Sequence, residues 1–238
     1  GEDRWRHTLA WPPEDLHMDG FLLGPDQSLE RLGFSERPVG QRAEVPSLNK
    51  ETGTGELNRW RTQLGRSDVV YPPDFGAGPG YVHFTSRPLE RSLRITGTAL
   101  VSLDISTDQE DGSLFAYLVE VDKEDGKETV RVLSEGCLRL SQRRPEGLGL
   151  IIRAGPGHSF LREHGQAMVP GEKEPVSITL LPISVLARKG SRLRLILARG
   201  DKDQFAPVSE TNEGKLTIHW GEDTGSGLIM LVGDGYCE

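Results

Sequence analysis

Gly157-His158-Ser159 is the stretch of this sequence that comes nearest to a catalytic motif. A serine nucleophile on a sharp strand-to-helix turn needs glycines two residues before and two after it, because side chains there clash with the turn. Gly157 fills the first place, but Leu161 stands in the second. A serine beside a histidine in sequence is also not a serine hydrogen-bonded to a histidine in space. The segment reads as an exposed Pro/Gly-rich loop. The histidines (His7, His17, His83, His158, His164, His219) fall in no zinc spacing, and there is no CxxC pair. His158 and His164 could share a cation, though two solvated loop histidines are the plainer reading. Asp201 and Asp203 could offer oxygens to calcium but lack the rest of a ligand loop, so a turn with exposed carboxylates is expected. Gly76-Ala-Gly-Pro-Gly80 and Gly147-Leu-Gly149 neither follow a strand nor open a helix, so no phosphate cradle is implied. The sequence assigns no catalytic residue, no metal ligand and no cofactor.

The bulk composition narrows the partners. A net charge of -8 lacks the basic face that neutralises phosphates, which argues against nucleic acid and, more weakly, against anionic membranes. Arg139, Arg143, Arg144 and Arg153 make one basic stretch, expected to be a solvated or salt-bridged edge. The longest apolar run, Gly227 to Val232, is far too short to span a bilayer. Cys137 reads as a small buried hydrophobe and Cys237 as part of the tail, with no disulfide framework. With two cysteines and no visible signal peptide, the cytoplasm is the default compartment. The chain opens on Gly1, not Met, which suggests an excised or processed piece.

Strands must position whatever surface the chain presents. From Tyr81 onward apolar residues recur with period two. Val101, Leu103 and Ile105 alternate with Ser102, Asp104 and Ser106; Leu216, Ile218 and Trp220 alternate with Thr217 and His219. Val176 to Leu180 and Leu193 to Leu197 behave alike. Leu114 to Val121 is apolar on both sides, as in a central strand, and ends in a turn at Asp125-Gly126. Val119, Leu195 and Trp220 are expected in one core between two sheets. A helical turn is expected near Pro182 to Arg188, before Lys189-Gly190. With 29 glycines and 15 prolines, the pattern is that of an all-β sandwich. Residues 24–80 have no sustained period and are expected to form a long irregular arm over other structure.

The order of motifs adds a family. Trp11-Pro12-Pro13, then Phe21-Leu22-Leu23-Gly24 and Ser28-Leu29, resemble the entry into the C-terminal domain of X-Pro dipeptidyl-peptidases and cocaine-esterase-like (CocE/NonD-type) hydrolases. Tyr81 to Leu89, Leu93 to Gly97, Val101 to Ser106, Leu114 to Val121 with Asp125-Gly126, and Ser134 to Arg139 are similar to that family's successive strands. Pro182-Ile183-Ser184 and Gly190 to Leu195 are like its late turn and strand. The chain departs from the pattern at Ser191, where many relatives carry histidine, at Val45 to Leu48, and at Gly233-Asp234-Gly235. The resemblance implies one jelly-roll, galactose-binding-domain-like unit over 1–238, with an entry strand and arm in 1–80 and the sandwich in 81–238. It also implies a partner, an N-terminal α/β-hydrolase domain of the same polypeptide that carries the catalytic triad. None of those catalytic residues has a counterpart here.

The leading reading is therefore a non-catalytic accessory domain that covers a neighbouring hydrolase domain, helping to wall its pocket or to build a homo-oligomer. A carbohydrate-binding jelly roll is the alternative, which an exposed aromatic pair would favour and a core-facing Trp220 would oppose. A self-sufficient hydrolase is opposed by the missing nucleophile turn. Trp11, Leu57, Trp60, Leu64 and Tyr71 are the candidate interdomain contacts. Pro46 to Pro73, which also holds Val69-Val70, is expected to face the partner instead of packing on the sandwich.

Overall fold

The computed structural model describes residues 5–32, 41–45, 52–65, 68–145, 157–208, 214–221 and 224–234, and places thirteen strands among them. Strands β1 (His17–Leu23), β2 (Ser28–Arg31) and β3 (Gln41–Val45) come first, followed by a short helix α1 (Arg59–Gly65). Then come β4 (Val82–Ser86), β5 (Leu93–Gly97), β6 (Leu100–Thr107) and the long hairpin of β7 (Ser113–Glu124) and β8 (Lys127–Arg139). The last five are β9 (Glu174–Thr179), β10 (Ile183–Ala187), β11 (Arg192–Ala198), β12 (Leu216–Trp220) and β13 (Gly227–Asp234).

Hydrogen bonds join them in the order β3-β12-β6-β13-β1-β2-β4-β11-β7-β8, with β5 on β13, β10 on β5 and β9 on β6. Every pair is antiparallel except β2 with β4. The path doubles back at β1 and β2. That leaves a front layer of β2, β4, β11, β7 and β8 over a back layer built on β1, β13, β6, β12 and β3. Both layers feed one core: Phe84, Leu118 and Leu195 from the front, Ile105, Ile218 and Leu228 from the back. Phe84 and Trp220 meet edge to face across the gap, ring centroids 5.3 Å apart. The all-β sandwich read from the sequence is what forms. Its hairpin turn needs Gly126, at φ +82°, after Asp125 at φ 50°, the left-handed pair that suits the twist of two joined strands.

Three expectations change. Pro182 to Arg188 is no helical turn: Ile183–Ala187 pairs residue by residue with Leu93–Gly97 as β10. Val119 does not share the core of Trp220 and Leu195 but faces the opposite side of the front layer. A strand apolar on both sides carries no phase signal, which is why that assignment failed. The arm, finally, is not detached. Its β3 extends the back layer, and Tyr71 and Phe75 lie on the outer face of the front layer over Phe115, Tyr117, Val119, Val121 and Ile196. Residues 33–40, 46–51 and 66–67 of it lie outside the described residues.

The strand phase is testable on β11. Leu195 is fully buried, so Leu195→Ala is expected to cost about 2–5 kcal/mol in denaturant unfolding. Arg194 bonds Thr85 at 2.8 Å and Glu128 at 2.9 Å near the surface, and Arg194→Ala should cost about 1 kcal/mol or less. Equal losses would mean that β11 is turned the other way.

Candidate interdomain face

The arm is clasped at its start by Asp201, in the turn after β11. This side chain is 1% exposed, not the solvated carboxylate that its spacing from Asp203 suggested. Its Oδ1 accepts from the amides of Thr54 (3.3 Å) and Asp203 (3.0 Å), and its Oδ2 accepts the Thr54 hydroxyl. Asp203 takes the Gly55 amide at 2.8 Å, and the Thr52 hydroxyl donates to the Gly200 carbonyl at 2.8 Å. Helix α1 then begins at a side-chain cap. Asn58 Oδ1 accepts from the Arg61 amide at 3.0 Å, satisfying a first-turn donor, while its Nδ2 donates to Thr54 Oγ1 at 2.9 Å.

Further along, the Tyr71 hydroxyl donates to Oε1 of Glu135 on β8 at 2.6 Å, and Arg59 donates to the Leu133 carbonyl at 3.0 Å. Phe75 meets Tyr71, Tyr81 and Tyr117 edge to face, with centroids 5.6, 5.6 and 4.9 Å away. Gly76, at φ +81°, sits where any Cβ would strike Ile196, so the arm backbone lies directly on the sheet.

Burial works against the charged form of the ionisable groups under this cover. Burial pushes the Glu135 carboxyl up, against the opposing pull of the Tyr71 hydrogen bond and Arg59. Burial also raises Asp201, takes the Tyr81 hydroxyl to about 12 and the Cys137 thiol to about 11. An activated thiol needs the opposite shift, so Cys137 is a structural residue. It is a free thiol, and Cys237 lies outside the described residues.

The structure divides the five candidate contacts. Leu57, Trp60 and Tyr71 come together on the arm, but two of them are used internally. Tyr71 points its hydroxyl at Glu135, and Trp60 packs edge to face on Phe205 at 5.5 Å. Leu57 remains 45% exposed. Leu64 lies in α1, and its side chain is outside the described residues. Trp11 is half-exposed and lies on the back-layer side, next to Pro12, which sits against Gly97. Val69 and Val70, noted in the arm but not among the five candidate contacts, are both exposed. The Val70 amide donates to the Leu57 carbonyl at 2.7 Å, setting the two side by side in an apolar ridge. The apolar Val69-Val70 pair in an aperiodic stretch was the available signal.

Elsewhere the chemistry is sparse. Ser159 Oγ lies 2.8 Å from Nδ1 of His164, not of its neighbour His158, and both sit in a surface loop where Ser159 also accepts the Leu161 amide. Glu163, its sequence neighbour and 4.0 Å from the imidazole, is exposed. Among the described residues no group of three or more His, Cys, Asp or Glu could hold a metal. Arg139 pairs with Asp111, and Arg143 and Arg144 with Glu174, as expected for a salt-bridged edge; Arg153 is outside the described residues. Trp220 is buried against Phe84, which removes the carbohydrate-binding alternative's main platform. No helix among the described residues is long and apolar enough to cross a membrane.

Known proteins agree with this inventory. A protein of Mycobacterium bovis that carries the name of a serine esterase is 33% identical over 212 residues, 86% of this chain and 32% of its own length. A Streptomyces avermitilis protein named for an Xaa-Pro dipeptidyl-peptidase is 24% identical over 232 residues, again 32% of its length. The chain thus spans about a third of the curated relatives it matches. A CocE/NonD family hydrolase from Staphylococcus aureus shares the fold with a TM-score of 0.70 at 19% identity, over 97% of this chain and 39% of that one. The family model described as the X-Pro dipeptidyl-peptidase C-terminal non-catalytic domain matches residues 1–232, and the chain belongs to that family.

Proposed function

We propose that residues 1–238 form a single accessory domain that packs on the α/β-hydrolase-type serine hydrolase domain preceding it in the polypeptide, helps to wall that domain's substrate pocket and contributes to self-association. The substrate class, acyl ester, amino-acid ester or Xaa-Pro peptide, is then set by the hydrolase part. The observation that carries the reading is a β-sandwich whose described residues hold no activated nucleophile yet present apolar side chains to water, Met18, Leu32 and Ile229 among them. The names of the relatives, a serine esterase and an Xaa-Pro dipeptidyl-peptidase, support the hydrolase part.

The isolated chain is expected to unfold cooperatively, to turn over neither nitrophenyl esters nor a Gly-Pro anilide, and to leave a serine-reactive fluorophosphonate unbound. Stoichiometric labelling, at Ser159 or any other serine, would show that the domain is itself a hydrolase.

A further inference from the structure

We infer that the outer surface of the back layer, where β1 and β13 pair, is the face that receives the preceding hydrolase domain. This rests on the accessory-domain reading and names its contact surface. In β13, Leu228, Met230 and Val232 enter the core, so Ile229 and Leu231 point the other way. Register sets Met18 of β1 opposite Leu231 and Gly20 opposite Ile229, and it sets Leu100 of β6 opposite Ile229 on the other side. The space above Gly20 is filled by the Leu32 side chain. The result is an apolar stripe along β1 and β13, in which Met18 (56%), Ile229 (37%) and Leu32 just beyond β2 (47%) are exposed, while Leu231 and Leu100, 9% exposed each, close its edges. The other half of the same surface is polar: Thr217 and His219 alternate with core residues, and His219 Nε2 lies 2.8 Å from Ser106 Oγ. A sheet face open to water should be polar throughout, so the stripe marks a contact.

Two features choose the occupant. The front layer's outer face is already covered by the chain's own arm, through Tyr71 and Phe75. The stripe, by contrast, lies where the chain enters the fold: Pro12 and Leu231 both border Gly97, and Asp15 pairs with Arg94 of β5. In relatives the matched part is C-terminal and only about a third of the length, so the hydrolase domain joins at the Gly1 side. From Trp5 to Pro12 the chain reaches at most about 25 Å, at roughly 3.5 Å per residue. A domain arriving there has the stripe within reach. Trp5 and Leu9 add fully exposed apolar side chains to the same approach.

The test uses the full polypeptide, hydrolase domain included, with Ile229→Lys and Met18→Lys on the stripe and Val70→Lys on the arm ridge. Unchanged melting of the same variants in the 238-residue chain verifies folding. A lysine on the stripe should speed protease cleavage in the Trp5–Leu16 connection about tenfold, the scale of losing one interface anchor, and Val70→Lys should not. Hydrogen exchange of β1 and β13 should be slower in the full polypeptide than in the isolated chain. Loosening by Val70→Lys alone, or by both kinds of variant equally, overturns this surface but keeps the docking reading. No loosening by either, with unchanged exchange, overturns both. An isolated chain that dimerises, and loses the dimer with Ile229→Lys, assigns the stripe to a second copy and overturns the inference.

Discussion

Truncating Phe75 to alanine is expected to destabilise the isolated domain by about 3–5 kcal/mol, as much as truncating an aromatic ring of the central core. Phe75 is 3% exposed and is the only residue whose ring meets all three tyrosines Tyr71, Tyr81 and Tyr117 among the described ring contacts. Removing it opens a cavity between arm and sheet that neither can close, because Gly76 already brings the backbone onto Ile196. The arm's hydrogen bonds to Asp201 and Glu135 would then face water. Hydrogen exchange should report this locally: amides of residues 52–62 lose protection in Phe75→Ala, while those of Leu114–Leu118 follow the global loss. An arm that were merely draped on the sheet would give a cost near 0.5 kcal/mol and fast exchange in the unaltered protein. That result would restore the detached arm suggested by its lack of periodicity.

The arm shows what the sequence leaves illegible. Strands such as β6 and β12 announce themselves because one face meets Leu, Ile and Trp and the other meets water. A segment that crosses a sheet as a cover has no such duty. It contacts the layer wherever a ring happens to reach, at Tyr71 and Phe75, and its anchors are single long-range partners such as Thr54 with Asp201. Asp201 looked like half of an exposed pair because nothing in its neighbourhood names Thr54. β10 was missed for a different reason: five residues are too few to show a period, and Lys189-Gly190 imitates a helix stop. Gly190, at φ +85°, instead turns the chain from β10 into β11. The family's collinear motifs were legible throughout, since they lie on the strands, whereas the stripe on β1 and β13 needed the register of partners far apart in the chain. Trp11 was the one chosen contact that borders it.

Two glutamates on one hairpin are expected to bend the stability of the domain in opposite directions with pH. Glu120 on β7 is 1% exposed and fully engaged. Its Oε1 accepts from the Arg188 amide at 2.7 Å and the Ser191 hydroxyl at 2.8 Å, and its Oε2 accepts from Arg131 Nε at 2.9 Å. The Ser191 hydroxyl completes this site. Burial works to raise Glu120, but the Arg188 amide, Arg131 and Ser191 outweigh it and hold the carboxyl below its usual range. The native state therefore binds fewer protons here than the unfolded chain. The contribution is full above the unfolded value near 4.3 and is lost as pH falls through the lower folded value. Glu135 on β8 is raised by burial, so its contribution is present below the unfolded value and disappears as pH rises through the folded one. Glu120→Gln, by giving up charge-assisted bonds, should cost about 1.5–3 kcal/mol at pH 7 and flatten the acid limb of the stability profile. The half-exposed Arg131 can turn to water, which keeps the loss below that of a fully buried pair. Glu135→Gln retains an acceptor for Tyr71, should cost within about 1 kcal/mol and should lessen the fall of stability on the alkaline side. Urea unfolding of the three proteins from pH 3 to pH 9 measures both limbs. An alkaline limb that survives Glu135→Gln unchanged would mean that Glu135 titrates alike in the folded and unfolded chains, and that the limb belongs to Asp201, the other carboxyl that burial raises.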